Sequence, residues 1–445
     1  MSSHSAAQDL QKQLLKFVST IPRDDNPYLA LAGYIKDLIV PNVPFSGLLQ
    51  LYILAGLVGL TLLFVVASML VRYFKGIFWI FQISTNPLLI RPHFSLSWSS
   101  VAVFMLALFE GYIFECVHLF QRDIRPTLGY WTTCTWIVPF IGGECAAWSL
   151  GVSYLTYVQA SGGAREPTDR WARVSNYAGI LSSVVYTAVM LPIALITGRH
   201  FAKAISAYLE MDRILRRAAT TWTTGTPLNL AVLAPALPLV ETLQSAQASL
   251  LVSWKATYAA YCVFTLTLVG TLTTIALLYL SALRRRIKQT TRNLEGIEGS
   301  KINTRQITRT YQTLQFTIGA FVILGTTFTV ISAYSAAKPD ALQQTATAQV
   351  LVLGPLYAFA VLGLPTSISL LWRAIDARPN ESGKWDERSG TRSGGDGPKQ
   401  YAIELGGRRK PATRTEVNVT VDVLVKEEGE LEKWESLSNR SMPKF

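Results

Sequence analysis

Seven stretches of this chain each contain about 20 or more mostly apolar residues, the length an α-helix needs to cross the hydrocarbon core of a bilayer. They are approximately Leu48–Val71, Leu96–Phe120, Trp131–Val158, Tyr177–Thr197, Ala256–Leu283, Thr313–Ala336 and Gln349–Trp372. A helix satisfies its own backbone hydrogen bonds in hydrocarbon, so each run predicts a helix. Charged residues make up only 16% of the chain, against about 25% in soluble proteins. The sequence therefore predicts an all-α integral membrane bundle of seven transmembrane helices.

The apolar runs divide the chain into an N-terminal segment (1–46), a transmembrane domain (47–373) and a C-terminal tail (374–445). In the N-terminal segment, "AAQDLQKQLLKFV" and "PYLALAGYIKDLIV" carry apolar residues at helical spacing. This spacing predicts short helices lying on the membrane surface, with a disordered extracellular segment as the alternative. The loop at about 198–255 is too long for a bare connection, so we expect it to form an interfacial or lid-like structure.

The tail begins with a polar, glycine-rich sequence, "ARPNESGKWDERSGTRSGGDGPKQ", which is typical of disorder. Further on, the valines from Val417 to Val425 alternate with other residues, which is the period of a β-strand. A lone strand is unstable in water, so a strand at 416–426 would have to pair with the edge of another sheet. A chance pattern in a disordered tail is the alternative.

The distribution of basic residues predicts the orientation of the bundle. Loops one, three and five carry more lysine and arginine near the span ends than loops two, four and six, and basic loops remain in the cytoplasm. We therefore expect the N-terminus outside and the tail in the cytoplasm, with the plasma membrane as the site. The net charge of +12 predicts contacts of the cytoplasmic basic loops with anionic lipid headgroups. Residues 284–309 are the predicted contact for a cytoplasmic signalling partner. No aromatic–basic platform supports nucleic-acid binding.

Four ionisable residues lie within the predicted spans. Glu110, Glu115 and His118 belong to "LFEGYIFECVHLF", and Glu144 belongs to "PFIGGECAAWSLG". A charged side chain at the centre of a bilayer costs at least about 2.5 kcal/mol, so such residues usually face the interior of a bundle. Glu115 and His118 are three residues apart and should be neighbours on one helix face.

A ridge of small residues at Gly143, Ala147 and Gly151 lets another helix approach the third span closely. We expect this packing to bring Glu144 towards Glu110, forming an outward-facing pocket rich in carboxylates. In a structural interpretation, the carboxyl groups are protonated and donate hydrogen bonds between helices. In a functional interpretation, the same four residues bind a cationic or polar ligand or relay protons.

Several classes of membrane protein are excluded by missing residues. The last span contains no lysine that a retinal Schiff base would need,. The chain has four histidines, and their positions do not allow a three-histidine zinc site. No nucleophile elbow or phosphate-binding loop is present, so we expect neither an enzyme nor a bound metal or cofactor. The third predicted span ends in "YLTYVQASGG", which lacks the acidic–arginine–aromatic triplet common in receptors.

Three segments, "KGIFWIF", "FEGYIFE" and "AAWSLGVSY", together with the valine-alternating tail, give the chain a family resemblance. It resembles uncharacterised seven-span membrane proteins of basidiomycete (mushroom-type) fungi. The resemblance covers about the first three spans and the tail. It implies a fungal membrane origin and assigns no activity and no catalytic residues.

The seven-span outline, the outside N-terminus and the basic fifth loop favour a receptor-like sensor of an extracellular small molecule or peptide. The alternative is a transporter or lipid-handling protein that uses the intramembrane carboxylates as a proton or cation relay. The two hypotheses share the residues Glu110, Glu115, His118 and Glu144 and differ in whether anything crosses the membrane.

The predicted orientation can be tested with an epitope tag at the C-terminus. Because basic loops are retained in the cytoplasm, we expect protease to spare the tag in intact cells and to remove it after permeabilisation. Cleavage in intact cells, or glycosylation of the sequon at Asn418, would show that the orientation is inverted.

Overall fold

The computed structural model describes residues 17, 20–22, 24–85, 88–161, 169–224, 226, 228, 231, 234–293, 300–339, 345–376 and 401–402. The helices in this part of the chain are α1 (Pro27–Ile39), α2 (Phe45–Phe74), α3 (Phe94–Phe120), α4 (Leu128–Cys134), α5 (Ile137–Ser161), α6 (Asp169–Thr220), α7 (Leu237–Asn293), α8 (Ser300–Ala337) and α9 (Thr345–Asp376). The strands are β1 (Phe81–Thr85), β2 (Leu88–Pro92) and β3 (Tyr401–Ala402), and a 3-10 turn spans Ala234–Ala236.

Six of these helices, α2, α3, α6, α7, α8 and α9, are long and apolar enough to cross a membrane. Their outer faces carry large apolar side chains that are strongly exposed, including Leu63, Phe104, Val263 and Val361. In a soluble protein such a surface would favour aggregation, whereas in a bilayer it contacts acyl chains. The predicted all-α membrane bundle is confirmed to this extent.

The third predicted span is not one continuous helix. It is divided into α4 and α5 by a turn at residues 135–136, and α5 is not among the six helices with high hydropathy. Helix α5 lies inside the bundle, where Gly142 faces Trp98 of α3 and Gly143 faces Leu268 of α7. Trp148 of α5 packs over Gly179 of α6. Helices that pack closely on other helices in a membrane are enriched in small residues such as glycine, alanine and serine, which α5 contains, and these residues lower its hydropathy.

Helices α6 and α7 are much longer than the predicted spans. With 52 and 57 residues, they measure about 78 and 85 Å, against about 30 Å for the hydrocarbon core. The expected interfacial or lid-like loop at 198–255 is therefore wrong, since most of it continues these two helices. Residues 198–220 of α6 and 237–255 of α7 project beyond the apolar region. At the base of this projection the hydroxyls of Thr197 and Thr257 lie 2.8 Å apart.

Helix α1 packs against this projection, and we call α1 together with residues 198–220 and 237–255 the headpiece. The side chain of Asn26 accepts hydrogen bonds from the backbone N–H groups of Tyr28 and Leu29 and donates one to the carbonyl of Ala219 at 3.0 Å. The helix predicted from "PYLALAGYIKDLIV" is therefore present, but its buried face contacts α6. The other predicted N-terminal helix lies almost entirely outside the described residues.

A β-hairpin that the sequence analysis treated as a loop follows α2. β1 and β2 are antiparallel, with Ile83 opposite Ile90, and Asn176 of α6 holds β2 through both side-chain atoms. Its oxygen accepts from the N–H of Ile90 at 2.9 Å and its nitrogen donates to the carbonyl of Leu88 at 2.8 Å. β3, from the tail, pairs with the other edge of β1. The strand predicted at 416–426 lies outside the described residues.

The close contact between α5 and α6 can be tested with two alanine substitutions in helices. A Cβ on Gly179 would overlap the Trp148 indole, whereas a Cβ on Gly270 meets nothing within 4 Å. Overpacking costs about 1–3 kcal/mol, and removing glycine from a helix gains about 0.5–1 kcal/mol. We expect Gly179→Ala to lower the melting temperature of the purified protein and the control, Gly270→Ala, to leave it unchanged or raise it. Equal melting temperatures for the two variants would contradict the packing.

Candidate functional site

Glu110 lies on the face of α3 that packs against α2. Its Oε1 would be 3.4 Å from a Cβ built on Gly59 of α2. The opposite face of α3 contacts α5, because Val101 packs against Gly142. Glu110 follows Val101 by nine residues, about 180° around a helix at 100° per residue. Glu110 therefore points away from α5.

Glu144 also points away from the contact between α3 and α5. Its Oε2 accepts a hydrogen bond of 2.9 Å from the Ser182 hydroxyl of α6. On α5, Gly142 faces α3, and Glu144 is two residues further on, about 160° away. The predicted pocket shared by Glu110 and Glu144 is wrong, since the two carboxyl groups lie on opposite sides of the α3–α5 pair.

Glu115 and His118 bind different partners in the connection after α3. Glu115 is buried, and its Oε1 accepts a hydrogen bond of 3.0 Å from the Thr127 hydroxyl. His118 Nδ1 lies 3.0 Å from Asp123 Oδ2, and Arg125 Nε lies 3.7 Å from the same carboxylate oxygen. These contacts fasten the turn between α3 and α4. The Glu115 carboxyl accepts its hydrogen bond, whereas the structural interpretation expected the carboxyl groups to donate. Within the described residues, no group of three or more His, Cys, Asp or Glu side chains could hold a metal ion.

The interior of the bundle contains an aromatic-lined cavity of about 70 Å³, which we call the central cavity. Five helices (α3, α5, α7, α8 and α9) and the turn before α5 contribute to its walls. The lining residues are Trp98, Trp136, Pro139, Phe140, Gly143, Thr265, Leu268, Val269, Leu272, Phe321, Leu324, Gly325, Phe328 and Phe359. A cavity of this size has room for several heavy atoms, and its lining is almost wholly apolar.

Thr265 contributes a buried hydroxyl to the largely apolar lining of the central cavity. Thr265 is 5% exposed, and its Oγ1 is buried without a hydrogen-bond partner among the described residues. Other threonines of α7 donate to the carbonyl four residues earlier, as Thr257 and Thr267 do at 2.9 Å. A buried hydroxyl without a partner is unfavourable by about 1–3 kcal/mol. A ligand with one hydrogen-bonding atom would satisfy this hydroxyl.

A second cavity, of about 40 Å³, lies between α2, α3, α8 and α9. It shares walls with the central cavity, and the shared residues include Trp98 and Phe321. The rings of these two residues meet edge to face, with centroids 4.5 Å apart. The Trp98–Phe321 pair therefore belongs to the wall shared by the two cavities, whose lining residues together extend from Trp136 to Leu370.

The central cavity was not predicted from the sequence. Its residues are aromatic and aliphatic side chains at helical spacing, a pattern that core packing also produces. Pro139, Gly143 and Gly325 were the available signals, because proline and glycine within spans reduce the side-chain volume or bend a helix. Thr265 is one of many threonines in α7, and only the folded structure shows that its hydroxyl lacks a partner among the described residues.

Comparisons of the chain with protein-family models, with curated proteins and with solved structures found no match.

The separate placement of the two carboxyl groups can be tested with double-mutant cycles. Glu144→Gln and Ser182→Ala each alter one hydrogen bond, so we expect their effects on unfolding free energy to be non-additive by about 0.5–3 kcal/mol. The control cycle combines Glu110→Gln with Ser182→Ala, and because these residues contact different helices we expect additivity. Unfolding would be followed thermally or with denaturant in the same detergent. If Glu110 were coupled to Ser182 as strongly as Glu144 is, the result would contradict the separate placement and support the shared pocket.

Proposed function

We propose that this chain is a receptor-like membrane sensor whose ligand is a small, largely apolar molecule with one hydrogen-bonding group. The observation that carries the proposal is the central cavity, in which aromatic rings line a space next to the buried Thr265 hydroxyl, which has no hydrogen-bond partner among the described residues. Ligand sites in membrane bundles form where several helices meet around an apolar space with few polar groups. The carboxyl groups predicted to bind ligand are not part of this site.

In this proposal α5 is the seventh span. Its 25 residues measure about 37 Å, enough to cross the hydrocarbon core, and its neighbours α3, α6 and α7 screen it from lipid. An odd number of spans places the N-terminal segment and the tail on opposite sides. The basic-residue distribution then puts the headpiece outside and the C-terminal end of α7 in the cytoplasm, and we retain the plasma membrane as the site.

Two of the helices that line the central cavity, α7 and α8, also reach the proposed cytoplasmic side. Helix α7 contributes Thr265 and Leu272 to the cavity and continues without interruption to Asn293. Helix α8 contributes Phe321 and begins at Ser300. The basic segment 284–309 is therefore formed largely by the ends of two cavity-lining helices. A ligand that favours one packing of these helices shifts the position of their basic ends, and this is how the sensor would reach a cytoplasmic partner or anionic headgroups.

The transporter alternative receives less support. A relay through the predicted residues would need Glu110 and Glu144 in one pathway, and they lie on opposite sides of the α3–α5 contact. We therefore place ligand sensing first.

The proposal is tested with 1-octanol, an apolar chain with one hydroxyl. We expect 1-octanol to raise the melting temperature of the purified protein in lipid nanodiscs and Thr265→Val to remove most of this increase. The matched control is Thr267→Val, the same substitution two residues along α7 at an exposed position, which should respond like the wild type. An equal response of both variants would refute binding in the central cavity.

Sensing, unlike binding alone, requires that the ends of α7 and α8 in the basic segment 284–309 move when the ligand binds. Spin labels would be placed at positions 285 and 376, both exposed near the same end of the bundle, in a chain whose four native cysteines are replaced. We expect 1-octanol to change the distance between the labels, and Thr265→Val to prevent the change. Binding of 1-octanol with no change in the distance between the labels would support a ligand site in the central cavity but would contradict the sensor function.

A further inference from the structure

The end of α2 carries a buried positive charge. Arg72, in the last turn of α2, is 4% exposed. One of its N–H groups donates to the Ser95 hydroxyl of α3, and no carboxylate among the described residues lies within ion-pair distance of it. Arginine stays charged in proteins and has five N–H donors, so one neutral hydroxyl leaves this charge largely uncompensated.

The surroundings of Arg72 add positive charge and hydrogen-bond donors. Arg373 of α9 is near enough to act on Arg72 electrostatically, and it is only partly buried. His93 Nδ1 accepts the N–H of Leu96 at 3.1 Å and lies 3.2 Å from the Ser95 hydroxyl. The imidazole proton therefore sits on Nε2, which is buried with no partner among the described residues. Burial, together with the nearby Arg72, lowers the pKa of His93 to about 3, so the ring is neutral.

Arg72 also lies at the negative end of the α2 helix dipole, which is the simplest explanation for its position. The dipole interaction is small at a helix end and falls off within one turn, whereas the desolvation of an unpaired charge is several times larger. The dipole also acts on Lys75, which donates to the carbonyl of Ile375 at the end of α9. The dipole alone therefore does not compensate Arg72, and an anion between Arg72 and Arg373 would.

The neighbouring surface indicates which kind of anion fits. Phe74 is 80% exposed and Trp372 is 67% exposed, and Ile375 is also exposed. Large apolar and aromatic side chains at the ends of apolar helices mark the boundary between acyl chains and headgroups. An anion at this depth with an apolar chain beside it is a phospholipid, since its phosphate matches guanidinium groups and its acyl chains match the exposed surface.

We propose that Arg72 and Arg373, at the joined ends of α2, α3 and α9, bind the phosphate of an anionic phospholipid headgroup in the adjacent leaflet. The guanidinium groups bind the phosphate oxygens, and Phe74, Trp372 and Ile375 contact the acyl chains. The site is at the opposite end of α2 from the headpiece and does not depend on the central cavity. It gives the bundle a structural lipid where an unpaired charge would otherwise destabilise it.

The test uses the full-length chain in detergent and three probes: dioctanoyl phosphatidic acid, dioctanoyl phosphatidylcholine and inorganic phosphate. We expect phosphatidic acid to bind at least tenfold more tightly than either of the others. Arg72→Gln and Arg373→Gln should each weaken this binding at least tenfold. The matched control is Arg285→Gln, which removes the same charge at an exposed position of α7 and should bind like the wild type.

Because Arg72→Gln places an uncharged group at a buried position, it is scored only if it elutes as a monodisperse species. If Arg72→Gln is not monodisperse, the result for Arg373→Gln decides the test, because Arg373 is partly exposed. Equal weakening by Arg285→Gln would mean that general surface charge is responsible and would overturn the site. Inorganic phosphate binding as tightly as phosphatidic acid would overturn the lipid in favour of a free anion, and unchanged binding in Arg373→Gln would overturn the proposal entirely.

Discussion

The close approach of helices at glycine positions determines the arrangement of this bundle. Between apolar helices in lipid there is no hydrophobic driving force, so association depends on van der Waals packing. Among the described residues, an aromatic ring occupies the space that a Cβ would fill in five glycine pairs: Gly111 with Trp131, Gly129 with Phe201, Gly142 with Trp98, Gly179 with Trp148, and Gly198 with Tyr130. These contacts join α3, α4, α5 and α6; three of them hold α4 and two hold α5.

The outline of the fold could be predicted from the sequence because lipid imposes a simple rule on length and hydropathy. Six of the predicted runs coincide with helices apolar enough to span. The rule fails for α5, whose lower hydropathy follows from its small residues. It also fails at 198–255, because the helical spacing of apolar residues in "AISAYLEMDRILRRA" does not show that this segment continues α6 without a break. Whether two helical segments are joined depends on a single turn, and hydropathy does not record that.

The candidate site was harder to predict than the fold. Acidic residues within spans suggest a shared binding site even when their side chains contact different helices. One carboxyl oxygen of Glu144 accepts from Ser182, and one of Glu115 accepts from Thr127, while Glu115 Oε2 is buried without a partner among the described residues. These are local solutions to the burial of a polar group, and each requires only one partner on a neighbouring helix. Thr265, whose hydroxyl has no partner among the described residues, and Arg72, whose buried guanidinium has a hydroxyl partner but no carboxylate there, look ordinary in the sequence. Both deficits are visible only when the neighbouring helices are in place.

The energetics of the central cavity restrict the chemistry of its ligand. A hydrogen bond to Thr265 contributes about 0.5–1.5 kcal/mol net, which changes a two-state equilibrium about tenfold at most. Moving such an equilibrium from one state to the other requires about 5.5 kcal/mol of differential affinity. For a ligand that reaches the cavity from water, each methylene removed from water contributes about 0.8 kcal/mol, so five or six methylenes would supply the remainder. The central cavity alone, at about 70 Å³, is small for such a chain, whereas the two cavities that share the Trp98–Phe321 pair are larger together. Displacement of that ring pair, one ring on α3 and the other on α8, is therefore the step that would connect ligand binding to movement of the helices.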